Sequence, residues 1–398
     1  KPEPPPVAKP EPPPVAKPEP PPVAKPGLQA SCQSDREMVK RDVDFYGAST
    51  AACVDRSLNI RLTPPYKKKA VLDFFNVAAN SRAMETIAHL RAVRDVLALN
   101  DWGYFQLVDH LSESLYQQRM AERNLFNWFV LIKSGFDARI GYNDRNLYLL
   151  LPVKEQIYGA AFMKLSGQNF YVFNGNNSQQ SVGSMYTYDK DYPGKTRLLS
   201  MRMKQYPLIP EKLKTRSLQL TSDKKLNVRY NLNSIRYWGQ MPQVDYSVYA
   251  TTPKSGLLNE DLYEPLRRHL ANKNEDEAIK ILLHFTQKAF SYKTDGDQFG
   301  REKPMVPEET VHYPYSDCED RSYFFTQLVR ELLGLEVVLL KYPNHLATAV
   351  KISNPQGDTL MIAGKRFTIC DPTYIGADPG MAMPQFKQVK PEVVRLDI

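Results

Sequence analysis

The chain has 398 residues, 42% hydrophobic and 24% charged, an ordinary globular composition that excludes disorder over its whole length and leaves room for two to three domains. Four cysteines with no CxxC pair exclude a disulfide-built scaffold and a structural zinc ribbon, and no apolar run approaches the length of a membrane-spanning helix. The formal net charge is +8, and where it sits matters more than its size.

Residues 1–27 hold three copies of KPEPPPVA and the start of a fourth. Proline fixes φ and removes backbone donors, so neither helix nor sheet can form there. The expectation is a polyproline II spacer rising about 3 Å per residue, which holds the globular part away from a membrane or cell-envelope anchor. A generic linker or an SH3-like ligand fits the same composition. Residues 28–68 give no clear pattern. Cys32 and Cys53 can pair in an oxidising compartment, and two free thiols fit equally well.

Residues 69–194 read as a helical plus β unit. Val71, Phe74, Phe75 and Val77, then Leu115, Leu125, Phe126, Phe129 and Val130, recur at helical spacing, and Gly135 is a stop. Residues 136–142, 147–153 and 170–173 read as strands separated by turn residues. Residues 195–255 read as a basic β-rich unit, with alternation at Leu218, Leu220, Leu226, Val228, Tyr230 and Leu232 around a turn at Ser222-Asp223. Between Lys195 and Arg229 there are ten Lys/Arg against two Asp/Glu, which equals the excess of the whole chain. Nucleic acid or an anionic membrane suits such a surface, but no nucleic-acid motif accompanies it. A solvent face of Lys/Arg that protects a strand edge is the simpler reading, so no nucleic-acid partner is expected.

Residues 256–398 carry the chemistry. Two amphipathic helices are expected around Leu262–Leu270 and Ile279–Phe285, broken at Asn272–Asn274. In Tyr315-Ser316-Asp317-Cys318-Glu319-Asp320-Arg321-Ser322, Ser316 and Glu319 match a capping box. Phe324, Phe325, Leu328, Val329 and Leu332 form the stripe behind it, and Gly334 ends the helix. Cys318 therefore falls in the first helical turn. The dipole there favours thiolate, whereas the three flanking acids oppose it. His345 opens a strand over 346–352. Asp371 closes the last of two further strands, 359–363 and 366–370, and Cys370 beside it should face the core. An antiparallel meander can set His345 beside Asp371 with the helix packed on the sheet and Cys318 facing His345: nucleophile, base and orienter.

These strings, with Asn344-His345-Leu346-Ala347-Thr348-Ala349-Val350 and Cys370-Asp371-Pro372-Thr373, resemble the transglutaminase-like superfamily of papain-type cysteine enzymes, over roughly residues 280–375. The Asp-Cys-Glu-Asp string looks most like bacterial periplasmic transglutaminase-like cysteine proteinases. The resemblance implies an α+β fold with a helix packed on an antiparallel sheet. It assigns Cys318 as nucleophile, His345 as general base and acid, and Asp371 as the group that orients His345. It further implies calcium held by Asp317, Glu319 and Asp320, a ligand set whose oxygen-only chemistry suits that ion. No cofactor is required on this reading, and calcium is an addition to it. The implied activity is hydrolysis of a protein or cell-envelope peptide through an acyl-enzyme. Transfer of the acyl group to a lysine amine, or a protein-binding scaffold with an unused triad, are the alternatives.

The first half also echoes the last. A shift of 199 residues sets Gly334 on Gly135, Cys318 on Arg119 and His345 on Asn146, and two inserted residues bring Asp371 onto Asn174. The expectation is a duplicated core, residues 70–190 being a copy without the catalytic groups.

Overall fold

In the computed structural model, residue 32 and residues 37–187 and 194–396 are described; the KPEPPPVA spacer lies outside them. The first element is a hairpin, β1 (Met38–Phe45) and β2 (Ala48–Asp55). Cys53 on β2 is bonded to Cys32, so the segment left open by the sequence is tied to this hairpin.

Four helices follow: α1 (Lys68–Asn80), α2 (Ala83–Val96), α3 (Asp101–Tyr116) and α4 (Met120–Lys133). Asn100 caps α3 by accepting from the Gly103 N–H. Strands β3 (Arg139–Tyr142), β4 (Leu147–Pro152), β5 (Phe162–Leu165), β6 (Gln168–Asn174), β7 (Asn177–Ser178) and β8 (Tyr186–Thr187) form an antiparallel sheet with the path β5-β6-β4-β3-β8. One face of this sheet joins Leu125, Phe129 and Trp102 in the first core. Leu150, Phe170 and Val172 pack on the other face.

Residues 195–255 do not form a β-rich unit of their own. They hold one hairpin, β9 (Leu213–Gln219) with β10 (Lys225–Asn231), and two short helices, α5 (Leu232–Trp238) and α6 (Tyr246–Ala250). Two strands bury too little to stand alone. Leu218, Leu226 and Val228 therefore enter the second core, while Tyr237, Trp238 and Val248 enter the first. Much of the local positive charge is paired. Arg229 bridges Glu260 and Asp261, Arg197 meets Asp101, and Arg216 donates to the carbonyls of Val311, Tyr313 and Pro314.

Next come α7 (Gly256–Leu258), α8 (Glu264–Leu270) and α9 (Glu275–Ala289). Asn274 and Glu277 make the capping box at the break expected there. Short elements β11 (Ser291–Tyr292), α10 (Asp295–Phe299), α11 (Pro307–His312) and β12 (Tyr315–Ser316) lead to α12 (Cys318–Leu333). Gly334 ends α12 in the left-handed region at φ 67°, where a Cβ would be strained. Strands β13 (Val337–Tyr342), β14 (His345–Val350), β15 (Thr359–Ile362), β16 (Lys365–Cys370) and β17 (Glu392–Val394) form a second antiparallel sheet, path β15-β16-β14-β13-β17. Phe324, Phe325, Leu328 and Val329 on α12 pack with Val350 and Cys370 from one face of it. The protein is thus a mixed α+β fold of helices and antiparallel sheets.

The two sheet paths have the same connectivity, each preceded by a helix pair, α3–α4 and α9–α12. Their registers also correspond. Leu340 faces Ala347 as Gly141 faces Tyr148, and Thr348 faces Cys370 as Leu149 faces Phe173. The offset is 199 residues for 348 − 149 and 197 for 370 − 173.

Candidate active site

The site lies where the start of α12 meets the start of β14 and the end of β16. The helix is capped one residue later than the sequence pattern suggests. Asp317, not Ser316, is the cap. Its Oδ1 accepts from the Glu319 and Asp320 N–H groups at 3.1 and 3.3 Å, and Asp320 Oδ2 accepts from the Asp317 N–H at 3.2 Å. Ser316 is engaged elsewhere, its hydroxyl accepting from Arg321 Nε.

Cys318 is the first residue of α12 and is buried. The Leu346 backbone N–H acts on its Sγ to favour the thiolate, and Ser322 Oγ donates to the Leu346 carbonyl at 3.0 Å. The thiol thus lies against the residue next to His345. Its own proton goes to Glu319 Oε2 at 2.8 Å. Burial first, then the charges of Glu319 and Asp317, hold the thiol far above the ordinary range. The flanking acids read from the sequence thus add to burial in raising the thiol.

His345 Nε2 meets Asp371 Oδ2 at 2.8 Å, both buried. With Nε2 engaged, Nδ1 is the nitrogen left to exchange a proton. Asp371 is itself held, because Oδ1 accepts from the Thr373 and Tyr374 N–H groups at 2.9 and 3.2 Å. Gln287 on α9 fastens the same turn, donating to the Asp371 and Ala377 carbonyls and accepting from the Gly376 N–H. The imidazole is stacked on Phe386, with centroids 5.0 Å apart and planes 1° from parallel, and Phe386 stacks in turn on Tyr342. Neither Gln287 nor Phe386 was legible as a site residue, since each comes from outside the motifs.

Of the three acids read as calcium ligands, the structure groups Asp317 and Asp320 with Asp295 rather than with Glu319. Asp295, Asp317 and Asp320 are buried, and one carboxylate oxygen from each lies within 4.8 Å of the others. Glu319 is turned to the thiol instead. Burial, then neighbouring carboxylates, push Asp317 up to about 8, and Asp320 is raised well above its usual range for the same reasons. Asp295 is pushed up to about 6, mainly by burial. Lys303 donates to Asp295 through its backbone N–H, while its ammonium goes to Glu309. Among the described residues none of the three acids makes an ion pair. Oxygen-only donors, buried together without a direct ion pair, fit a hard divalent cation.

Comparisons with known protein families, with characterised proteins and with solved structures return no match for this chain.

Proposed function

We propose that the protein is a cysteine peptidase of transglutaminase-like fold, acting on a protein or cell-envelope peptide. The observation that carries this reading is the buried His345–Asp371 pair beside a cysteine at a helix N-terminus. In the proposed reaction Cys318 Sγ bonds to the scissile carbonyl carbon. His345 Nδ1 takes the thiol proton and passes it to the departing amine as the C–N bond breaks. Water, deprotonated by His345, then bonds to the acyl carbon; the C–S bond breaks, the acid leaves, and His345 returns the proton to Sγ. Asp371 keeps the imidazole in one orientation and offsets its charge when protonated. Transfer of the acyl group to an amine would use the same first half. Asp295, Asp317 and Asp320 would hold calcium, whose charge would offset the acids that now suppress the thiolate.

The matched sheet paths and registers support a duplicated core. In it Arg119, Asn146 and Asn174 stand where Cys318, His345 and Asp371 stand in the other copy. The Cys32–Cys53 bond supports an oxidising compartment, which for a bacterial protein is the periplasm or envelope. Among the described residues no helix is long and apolar enough to cross a membrane. A tether would then act through the proline-rich repeat.

The bond from Cys318 to Glu319 favours a second reading, a binding scaffold whose triad is unused. One experiment separates the two. Alkylation of Cys318 by iodoacetamide is followed by mass spectrometry across pH, with calcium or chelator, in the parent, His345→Ala and Asp371→Ala. Fast labelling well below pH ~8, lost with His345, is the expected result for the enzyme. Labelling with the pH dependence of an ordinary thiol, indifferent to His345 under both conditions, would leave the scaffold.

A further inference from the structure

The first half contains a cavity of about 400 Å³ at the start of α4, lined by Arg61, Arg119, Glu122, Arg145, Asn146 and Asn174 among others. By the register offset, Arg119, Asn146 and Asn174 occupy the positions of Cys318, His345 and Asp371. The cavity therefore sits where the other half keeps its site, but its chemistry is reversed. The ionised groups in its lining are three arginines and one glutamate, a balance of +2.

The arginines divide into two kinds. Arg119 is built into the floor, donating to the Ile60 carbonyl at 2.9 Å and to Asn59 Oδ1 at 2.7 Å, with Glu122 3.9 Å away. Glu122 is buried and also accepts from the Leu62 N–H, so its charge is already answered. Arg61 and Arg145 are exposed at the rim, and among the described residues neither guanidinium has a partner. Asn174 Oδ1 accepts from Asn124, which leaves its N–H₂ donors available. A concave site rich in donors and poor in ionised acceptors selects an anion, and guanidinium forks match planar carboxylates in a bidentate way.

We propose that this cavity binds an acidic peptide segment through its carboxylates, as an anchoring site separate from the candidate active site. The inference rests on the repeated topology and the lining charges, not on turnover at Cys318.

The test uses the full chain and fluorescein-labelled hexaglutamate, followed by anisotropy at low and moderate salt. Hexaglutamate should bind, and uncharged hexaglutamine should bind at least about tenfold more weakly, as loss of charge-assisted bonds requires. Arg61→Gln/Arg145→Gln should weaken hexaglutamate about tenfold or more. Lys164→Gln/Lys225→Gln removes equal charge from exposed positions elsewhere and should leave binding unchanged. Cys318 alkylation should be the same in all variants, so this test fails or succeeds independently of the catalytic reading. No binding of hexaglutamate, equal weakening in both double variants, or preference for a phosphoserine peptide over hexaglutamate would each overturn the proposal.

Discussion

Calcium and pH should act on stability together. Asp295, Asp317 and Asp320 are all raised by burial first, then by neighbouring carboxylates: Glu302 and Glu319 for Asp295, Glu319 and Asp295 for Asp317, Asp317 and Asp295 for Asp320. A carboxyl raised on folding holds its proton more tightly in the folded state. Its contribution is complete below the unfolded value and is lost as pH rises through the folded one. For Asp295 that window runs from 3.8 to about 6. Two units are worth ~3 kcal/mol at most, and water at the rim of the cluster screens this to ~2 kcal/mol. For Asp317 the window extends to about 8. With chelator present, the urea midpoint should therefore fall as pH is raised from ~5 to ~8. Calcium binds only the ionised acids, so its effect should grow over the same range. At a hundredfold excess over its dissociation constant it would add ~2.7 kcal/mol. Asp295→Asn keeps an acceptor for the Lys303 N–H while removing one charge, and should abolish most of the calcium effect. Urea titrations at the two pH values, with calcium, magnesium or chelator, make the measurement. A calcium shift equal at both pH values, or no shift at all, would refute the reasoning.

Three other outcomes follow from the packing. Glu308 is buried, accepts from Tyr206, Asn231 and Ser255, and is pushed up to about 7 from 4.5, mainly by burial. Its stability contribution should disappear between those values, so Glu308→Gln should match the parent near pH ~5 and exceed it by up to ~3 kcal/mol near pH ~8 in urea titrations; equal midpoints at high pH would count against this. Cys32→Ser opens a 21-residue separation and should cost ~3 kcal/mol, with reductant lowering the parent equally and the variant not at all. Gly357→Ala would set a Cβ 2.3 Å from the Gly380 carbonyl at a residue with φ +67°, costing ~1–3 kcal/mol. Amide exchange should quicken over residues 376–387, which carry Phe386 to His345, and stay unchanged over α1–α4; uniform exchange across the chain would exclude the local effect.

The helices and strands around the site were legible because each has a single period and a clear stop. Phe324, Phe325, Leu328 and Val329 mark one helix face, Gly334 closes it, and the runs after it have strand length. What escaped the sequence came from tertiary placement. Thr294-Asp295-Gly296-Asp297 reads as an ordinary turn, and Thr294 does cap α10. Nothing local tells that Asp295 is folded in beside the start of α12, where Asp317 and Asp320 lie. Phe386 stands in an irregular tail with no periodicity to announce it, yet that tail is fixed by Asp358, which accepts from the Ala382 N–H and meets Lys387. The β-rich reading of 195–255 failed for a related reason. Alternation marked one hairpin correctly, but the rest of the segment is shaped by the two cores it joins.

The starts of α4 and α12 differ in their electrostatics. A helix N-terminus carries partial positive charge whatever the sequence, so it favours an anion by default. At α4 arginines reinforce that default, with Arg119 just before the helix and Arg61 and Arg145 at the rim. At α12 the sequence opposes it: Asp317, Glu319 and Asp320 crowd the first turn, and Asp295 joins them from α10. More acid is gathered there than the dipole can answer, as the raised carboxyls attest. The excess has two outlets, retained protons or a bound cation. With protons retained, burial and the neighbouring Glu319 still hold the Cys318 thiol high. A cation would leave the acids ionised but compensated, and the balance that suppresses the thiolate would be reversed. Under the two proposals, the first sheet unit would take an anion and the second a cation. Under the proposed function, a cation held by Asp295, Asp317 and Asp320 would be a condition of the chemistry at Cys318.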